Sequence, residues 1–188
     1  GVYNKPVVVA MNRFASDTAA EIDCVLNAVE KSGAKAVFTD VFLKGGEGGR
    51  ELAAAVAEAC EIPSRLQFAY ETEDSLRVKI EKVAKRIYGA DGADFSEEAE
   101  KALDDIEAKG GRNLPVIIAK TQYSLSDNAE LLGRPTGFRI FVRDVVIKGG
   151  AGFVVAIAGK IMLMPGLGAH PAAEKIDLLP DGKIVGLS

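Results

Sequence analysis

Two short apolar runs rich in β-branched residues, PVVVAMN (6–12) and KAVFTDVF (35–42), bracket a segment with helical periodicity. Ile22, Val25, Leu26 and Val29 recur at i, i+3, i+4 and i+7, which places them on one helix face. Thr18 and Glu21 have capping-box spacing ahead of that face, and Gly33 ends it. This strand–helix–strand order constrains the chain more than any other feature. Strands this apolar are buried on both faces and belong to a parallel sheet with crossover helices. A glycine loop and a helix from about Arg50 to Cys60, with Leu52 and Val56 on one side, repeat the pattern, and RLQFAY (65–70) reads as a third strand. The N-terminal half is expected to be α/β, a Rossmann-like parallel sheet.

Leu76, Ile80, Val83 and Ile87 form the stripe of a further helix, ended by Gly89 and the turn GADGADF. Ser96 caps the next, with Glu97 and Glu98 in its first turn and Ala99, Leu103 and Ile106 facing inward. After KGGRN the pattern changes. LPVIIAK (114–120) reads as a buried strand, FRIFVRDVVIK and FVVAIAG as two longer ones, and KIDLLPDGKIVGLS as a hairpin turning at Asp181-Gly182. A smaller α+β C-terminal domain is expected over 111–188, after an α/β domain over 1–110.

Composition excludes several functions. A formal net charge of -4, with charges scattered, gives no footprint for nucleic acid. Cys24 and Cys60 fall in predicted helices and read as reduced, packed residues. No signal peptide opens the chain and no apolar run reaches membrane-span length, so a cytoplasmic location is expected. One histidine, His170, cannot build a multi-histidine metal site and reads as a surface residue; no metal site is expected on this chain.

The loop LKGGEGGRE (43–51) leaves three readings open. Its backbone N–H groups and Lys44 could hold a phosphate, although Lys44 precedes the glycines, which is not the P-loop order. It could be a tight connection. Or Gly45 and Gly46 could let something flat approach the backbone. Phe14 lies just past the first strand and Phe42 just past the second, at the sheet edge where α/β proteins bind ligands. Two rings there can clamp a planar heterocycle, unless both belong to the core. Lys120, Thr121 and Arg134 are further candidate ligand contacts; loop hydrogen bonding and a pairing of Arg134 with an acid of the fold are the alternatives.

Several irregular motifs occur together and in order: PVVVAMNRFASDTAAEI, VFTDVFLKGGEGGRELA, RIYGADG, LPVIIAKTQYSLSDN, LLGRPTGFRIFVRD, GAGFVVAIAGKIMLMPGL and IDLLPDGKIVGL. From about Lys5 to Leu187 the chain resembles the C-terminal third of formate–tetrahydrofolate ligases. The resemblance implies ATP-dependent formation of formyl phosphate and its transfer to N10 of tetrahydrofolate. It implies Mg2+ with the ATP, assistance from a monovalent cation and a homotetramer. It also implies that Phe14 and Phe42 stack on the pterin, that Phe38 lines the same pocket, and that Lys44, Gly45 and Gly46 pack beside it. Phe42 departs from the tryptophan that the family carries there.

The family's phosphate loop has no counterpart here, since Gly159-Lys160 and Gly182-Lys183 are each followed by Ile. The chain reads as starting mid-protein. It is expected to need association with an N-terminal ATP-binding portion and not to activate formate alone. A stand-alone heterocycle-binding module and an oligomerisation portion remain the alternatives. Pro165-Gly166-Leu167 reads as a turn near the nucleotide or an interface segment.

Overall fold

The computed structural model describes residues 2–159, 161 and 169–186. Lys160 and Pro165-Gly166-Leu167 lie outside the described residues. The chain opens with the predicted unit. Strand β1 (Val8–Asn12) pairs in parallel with β2 (Lys35–Thr39), and helix α1 (Ala19–Lys31) connects them. Thr18 caps α1 through a full capping box, with the Glu21 N–H donating to its hydroxyl and Glu21 bonding back. Helix α3 (Arg50–Cys60) then packs against both strands.

Three details differ from the sequence reading. Strand β2 stops at Thr39 rather than Phe42, because Asp40 turns the chain: its carbonyl accepts the N–H groups of Leu43 and Lys44, and its own N–H donates to Gly48. The one-turn helix α2 (Val41–Lys44) and a 3-10 turn (Gly45–Gly49) follow. The segment 65–70 is not a strand; the Arg86 guanidinium binds the Phe68 and Ala69 carbonyls that a ladder would have used. Cys24 and Cys60 are both exposed, not packed, because the two-stranded sheet covers little of either helix: α1 holds no buried residue and α3 only Ala55.

The main core lies in the rest of the chain. Helices α4 (Leu76–Arg86) and α5 (Glu97–Ala108) pack on a four-stranded mixed sheet. Its strands are β3 (Gly92–Phe95), β4 (Val116–Ala119), β5 (Arg139–Lys148) and β6 (Phe153–Ala158), in the order β3-β5-β6-β4. Strands β5 and β6 are the two longer strands expected, and they pair antiparallel, whereas β3 lies inside what reads as a turn. It forms because Gly92 leaves room for Arg139: a Cβ there would lie 2.5 Å from the guanidinium, which instead bonds Asp94 and the Ala93 carbonyl.

The predicted faces meet here. Leu76, Ile80, Ala99, Leu103 and Ile106 bury against Ile140, Val142, Val154 and Ala156. Each fully buried Leu or Ile contributes about 1.5–3 kcal/mol. Residue 110, where a domain boundary is expected, lies between α5 and β4, within the stretch that forms this sheet. The last strands, β7 (Asp177–Leu178) and β8 (Ile184–Val185), form the small hairpin about Gly182.

Candidate functional site

The parallel register of β1 and β2 sets Asn12 opposite Thr39, and the Arg13 N–H donates to the Thr39 carbonyl. Both strands therefore end level with one another. Phe14 follows one end by two residues and Phe42 follows the other by three. Neither ring is core. Phe14 is 64% exposed and Phe42 is 91% exposed, which removes the alternative that both are buried. Leu43 beside Phe42 is exposed as well, and Phe38 is half-buried in β2.

Each ring is carried by a loop whose polar groups hold it in place. The Phe14 N–H donates to Asp17 Oδ2 (2.8 Å), and the Asp17 N–H returns to the Phe14 carbonyl. On the other side, Asp40 closes the turn that presents Phe42. Gly48 lies so near the Asp40 backbone that a Cβ would sit 2.5 Å from its carbonyl carbon. Gly45 has φ +56° and ψ -143°, a region that only glycine occupies readily. These two glycines are used by the loop's own fold. Gly46 alone of the predicted pair faces open space at ordinary φ. Lys44 is directed back, its amine 3.0 Å from Asp40 Oδ2.

Two oxygens at this edge were not singled out by the sequence. Thr39 Oγ1 and Asp40 Oδ1 are buried and lack any hydrogen-bond partner, and among the described residues no other side-chain nitrogen or oxygen is in that position. A polar pair closing a strand just before an exposed aromatic is the signal that could have found them.

The remaining predicted residues are elsewhere. Lys120 follows β4; its amine donates to the carbonyls of Thr121 (3.1 Å) and Ser124 and lies 4.8 Å above the Tyr88 ring. Burial holds its pKa below the ordinary lysine value, with Asp127 opposing that shift. Lys120 thus fastens the start of the polar stretch 120–138. Thr121 accepts the Tyr123 N–H and lines a cavity of about 750 Å³ with Asp127, Asn128 and Glu130. Arg134 is exposed. Among the described residues no group of three or more His, Cys, Asp or Glu is placed to hold a metal ion.

The sequence profile of formate–tetrahydrofolate ligase matches residues 1–188, the whole chain. The chain belongs to the formate–tetrahydrofolate ligase family. The family's ligase from Symbiobacterium thermophilum is 57% identical over 186 residues, which is 99% of this chain and 34% of that protein. The ligase from Campylobacter concisus is 50% identical over 188 residues, covering 100% of this chain and 34% of that protein. The chain thus spans about a third of the length of the ligases it matches. Within this family member, the paired strand ends carry Phe14 and Phe42, two aromatic rings displayed to solvent. No described helix is long and apolar enough to cross a membrane.

Proposed function

We propose that this chain supplies the pterin-holding part of an ATP-dependent ligase that joins formate to tetrahydrofolate. In that reaction formate takes the γ-phosphoryl group of ATP, giving formyl phosphate and ADP. The N10 lone pair of tetrahydrofolate then attacks the formyl carbon. The tetrahedral intermediate collapses, the bond to phosphate breaks, N10 loses its proton, and 10-formyltetrahydrofolate and inorganic phosphate remain. The observation that carries this reading is the pair of exposed rings, Phe14 and Phe42, just beyond the level ends of two parallel strands. A pterin offers two apolar faces, and stacking between aromatic rings satisfies both. Phe38 borders the ring, and Lys44 with Gly45 and Gly46 forms the wall beside it. Lys120, Thr121 and Arg134, in the connection between β4 and β5, are secondary candidates for ligand contact.

In this reading the ATP site lies on an N-terminal portion with which the chain associates. The described acids and His170 form no cluster that fits Mg2+, so no step is routed through that ion on this chain. The monovalent cation, the homotetramer and the cytoplasmic location are part of the same proposal. The two-stranded sheet supports an association. Parallel sheets ordinarily carry cover on both faces and more strands, yet among the described residues β1 and β2 pair with no third strand, and neither β1 nor α1 holds a fully buried residue. A segment of the ligase outside this chain completes that sheet. Calorimetric titration with tetrahydrofolate, under anaerobic conditions, tests the reading: binding that is weakened in Phe42→Ala supports it, and binding indifferent to that change overturns it.

A further inference from the structure

Asp40 stands where its carboxylate should be satisfied, and one of its oxygens is not. It occupies the N-cap of α2, a position that aspartate favours because its side chain accepts a backbone N–H from the first turn, yet it makes no such bond. Oδ2 carries the exposed Lys44 amine; Oδ1 is buried without a partner. The residue before it, Thr39, is 7% exposed and its hydroxyl is equally unpartnered. The neighbouring loop shows the contrast: Asp17 binds the Phe14 N–H and Glu21 binds Thr18. A buried acceptor that has lost water and gained nothing is costly, and such atoms in a native fold call for an explanation.

The position supplies one. Asp40 follows the last residue of β2 and precedes Phe42 by two, so the unpartnered oxygens lie in the chain between half-buried Phe38 and the exposed ring. We propose that the Asp40 carboxylate, assisted by the Thr39 hydroxyl, reads the N–H edge of the heterocycle held by Phe14 and Phe42. This inference rests on the folate reading. The ligand class is a planar ring bearing adjacent N–H donors, as the 2-amino group and N3–H of a 2-amino-4-oxopteridine are. Stacking accepts any flat ring; a carboxylate opposite paired donors selects this one, because a ring without them leaves the charge unmatched. The terminal torsion of aspartate is broad and twofold, so Oδ1 turns toward an arriving donor by a small rotation. The Lys44 side chain that pairs with Oδ2 is 61% exposed.

The test uses the full chain, titrated calorimetrically with tetrahydrofolate and with its 2-desamino-2-methyl analogue. Wild type binds tetrahydrofolate more tightly. Asp40→Asn weakens tetrahydrofolate at least tenfold, abolishes the preference over the analogue, and leaves the melting temperature of the free chain unchanged or raised. Thr39→Val gives a smaller loss in the same direction. Unchanged tetrahydrofolate affinity in Asp40→Asn, with Phe42→Ala still impaired, overturns this inference and leaves the stacking reading standing. A fall in the melting temperature of the free chain with the ligand preference intact assigns Asp40 to the loop fold and also overturns it. No binding by wild type overturns the folate reading and this inference together.

Discussion

Asn12 and Thr39 are paired partners at the ends of two parallel strands, and everything proposed for the site depends on that register. It brings Phe14 and Phe42 to one edge although 27 residues of sequence lie between them. A shift of one residue would turn the side chains of β2 to the opposite face.

Removing the Phe42 ring is the simplest perturbation. The side chain is 91% exposed, so Phe42→Ala leaves the melting temperature close to that of wild type. Tetrahydrofolate affinity should fall by about 1–3 kcal/mol, in line with alanine replacement of aromatic stacking platforms. Phe42→Trp supplies a larger face and should bind at least as tightly as wild type. Calorimetry and thermal melts on the three proteins check both statements.

The glycine loop gives a paired test. Gly48→Ala places a methyl 2.5 Å from the Asp40 backbone and should destabilise the loop by about 1–3 kcal/mol. Tetrahydrofolate affinity falls with it, since Asp40 and Phe42 share that turn. Gly46→Ala meets open space without a positive φ and should leave stability unchanged, while its methyl, on the wall beside the pterin, lowers tetrahydrofolate affinity. Denaturant melts of the two variants separate a loop folded on itself from one kept open for a ligand along its whole length.

Lys79 is fully buried and donates to the carbonyls of Arg112 (2.6 Å) and Leu114 (3.0 Å), pinning the turn ahead of β4. Lys79→Met leaves both carbonyls unpaired and should cost about 1–3 kcal/mol for a group so orphaned. Burial also holds the Lys79 pKa below the ordinary lysine value. Between that depressed value and the unfolded one, near 10.4, the unfolded chain binds more protons than the native chain. Stability therefore gains from this residue as pH rises through that window, and the burial cost is full below it. Urea titrations between pH 8 and 10 should show the gain in wild type relative to Lys79→Met.

Both thiols report on the first unit. Cys24 and Cys60 are exposed, so a thiol reagent should label two sites per native chain without denaturant. Mass spectrometry of the labelled protein checks the count; protection of either thiol contradicts the placement of α1 or α3.

Periodicity in the sequence was sufficient to place α1, α3, α4, α5 and strands β5 and β6; α4 and α5 bury the predicted face, whereas α1 holds no buried residue and α3 only Ala55. It failed where a single side chain decides. Arg86 takes the carbonyls of 68 and 69 and prevents a strand, and Arg139 creates β3 by filling the space beside Gly92. Such long-range contacts leave no trace in local pattern. For the proposed site, the sequence singled out Phe14 and Phe42 because they follow apolar strands. Thr39 and Asp40 were not, because their distinction is a missing hydrogen bond, which only the folded arrangement reveals.

The central claim is that this third of a ligase holds the pterin. Calorimetric titration of the purified chain with tetrahydrofolate, and separately with ATP, tests it most directly. The account predicts saturable heat with tetrahydrofolate, weaker binding in Phe42→Ala, and no heat with ATP. Saturable ATP binding with no response to tetrahydrofolate would contradict it.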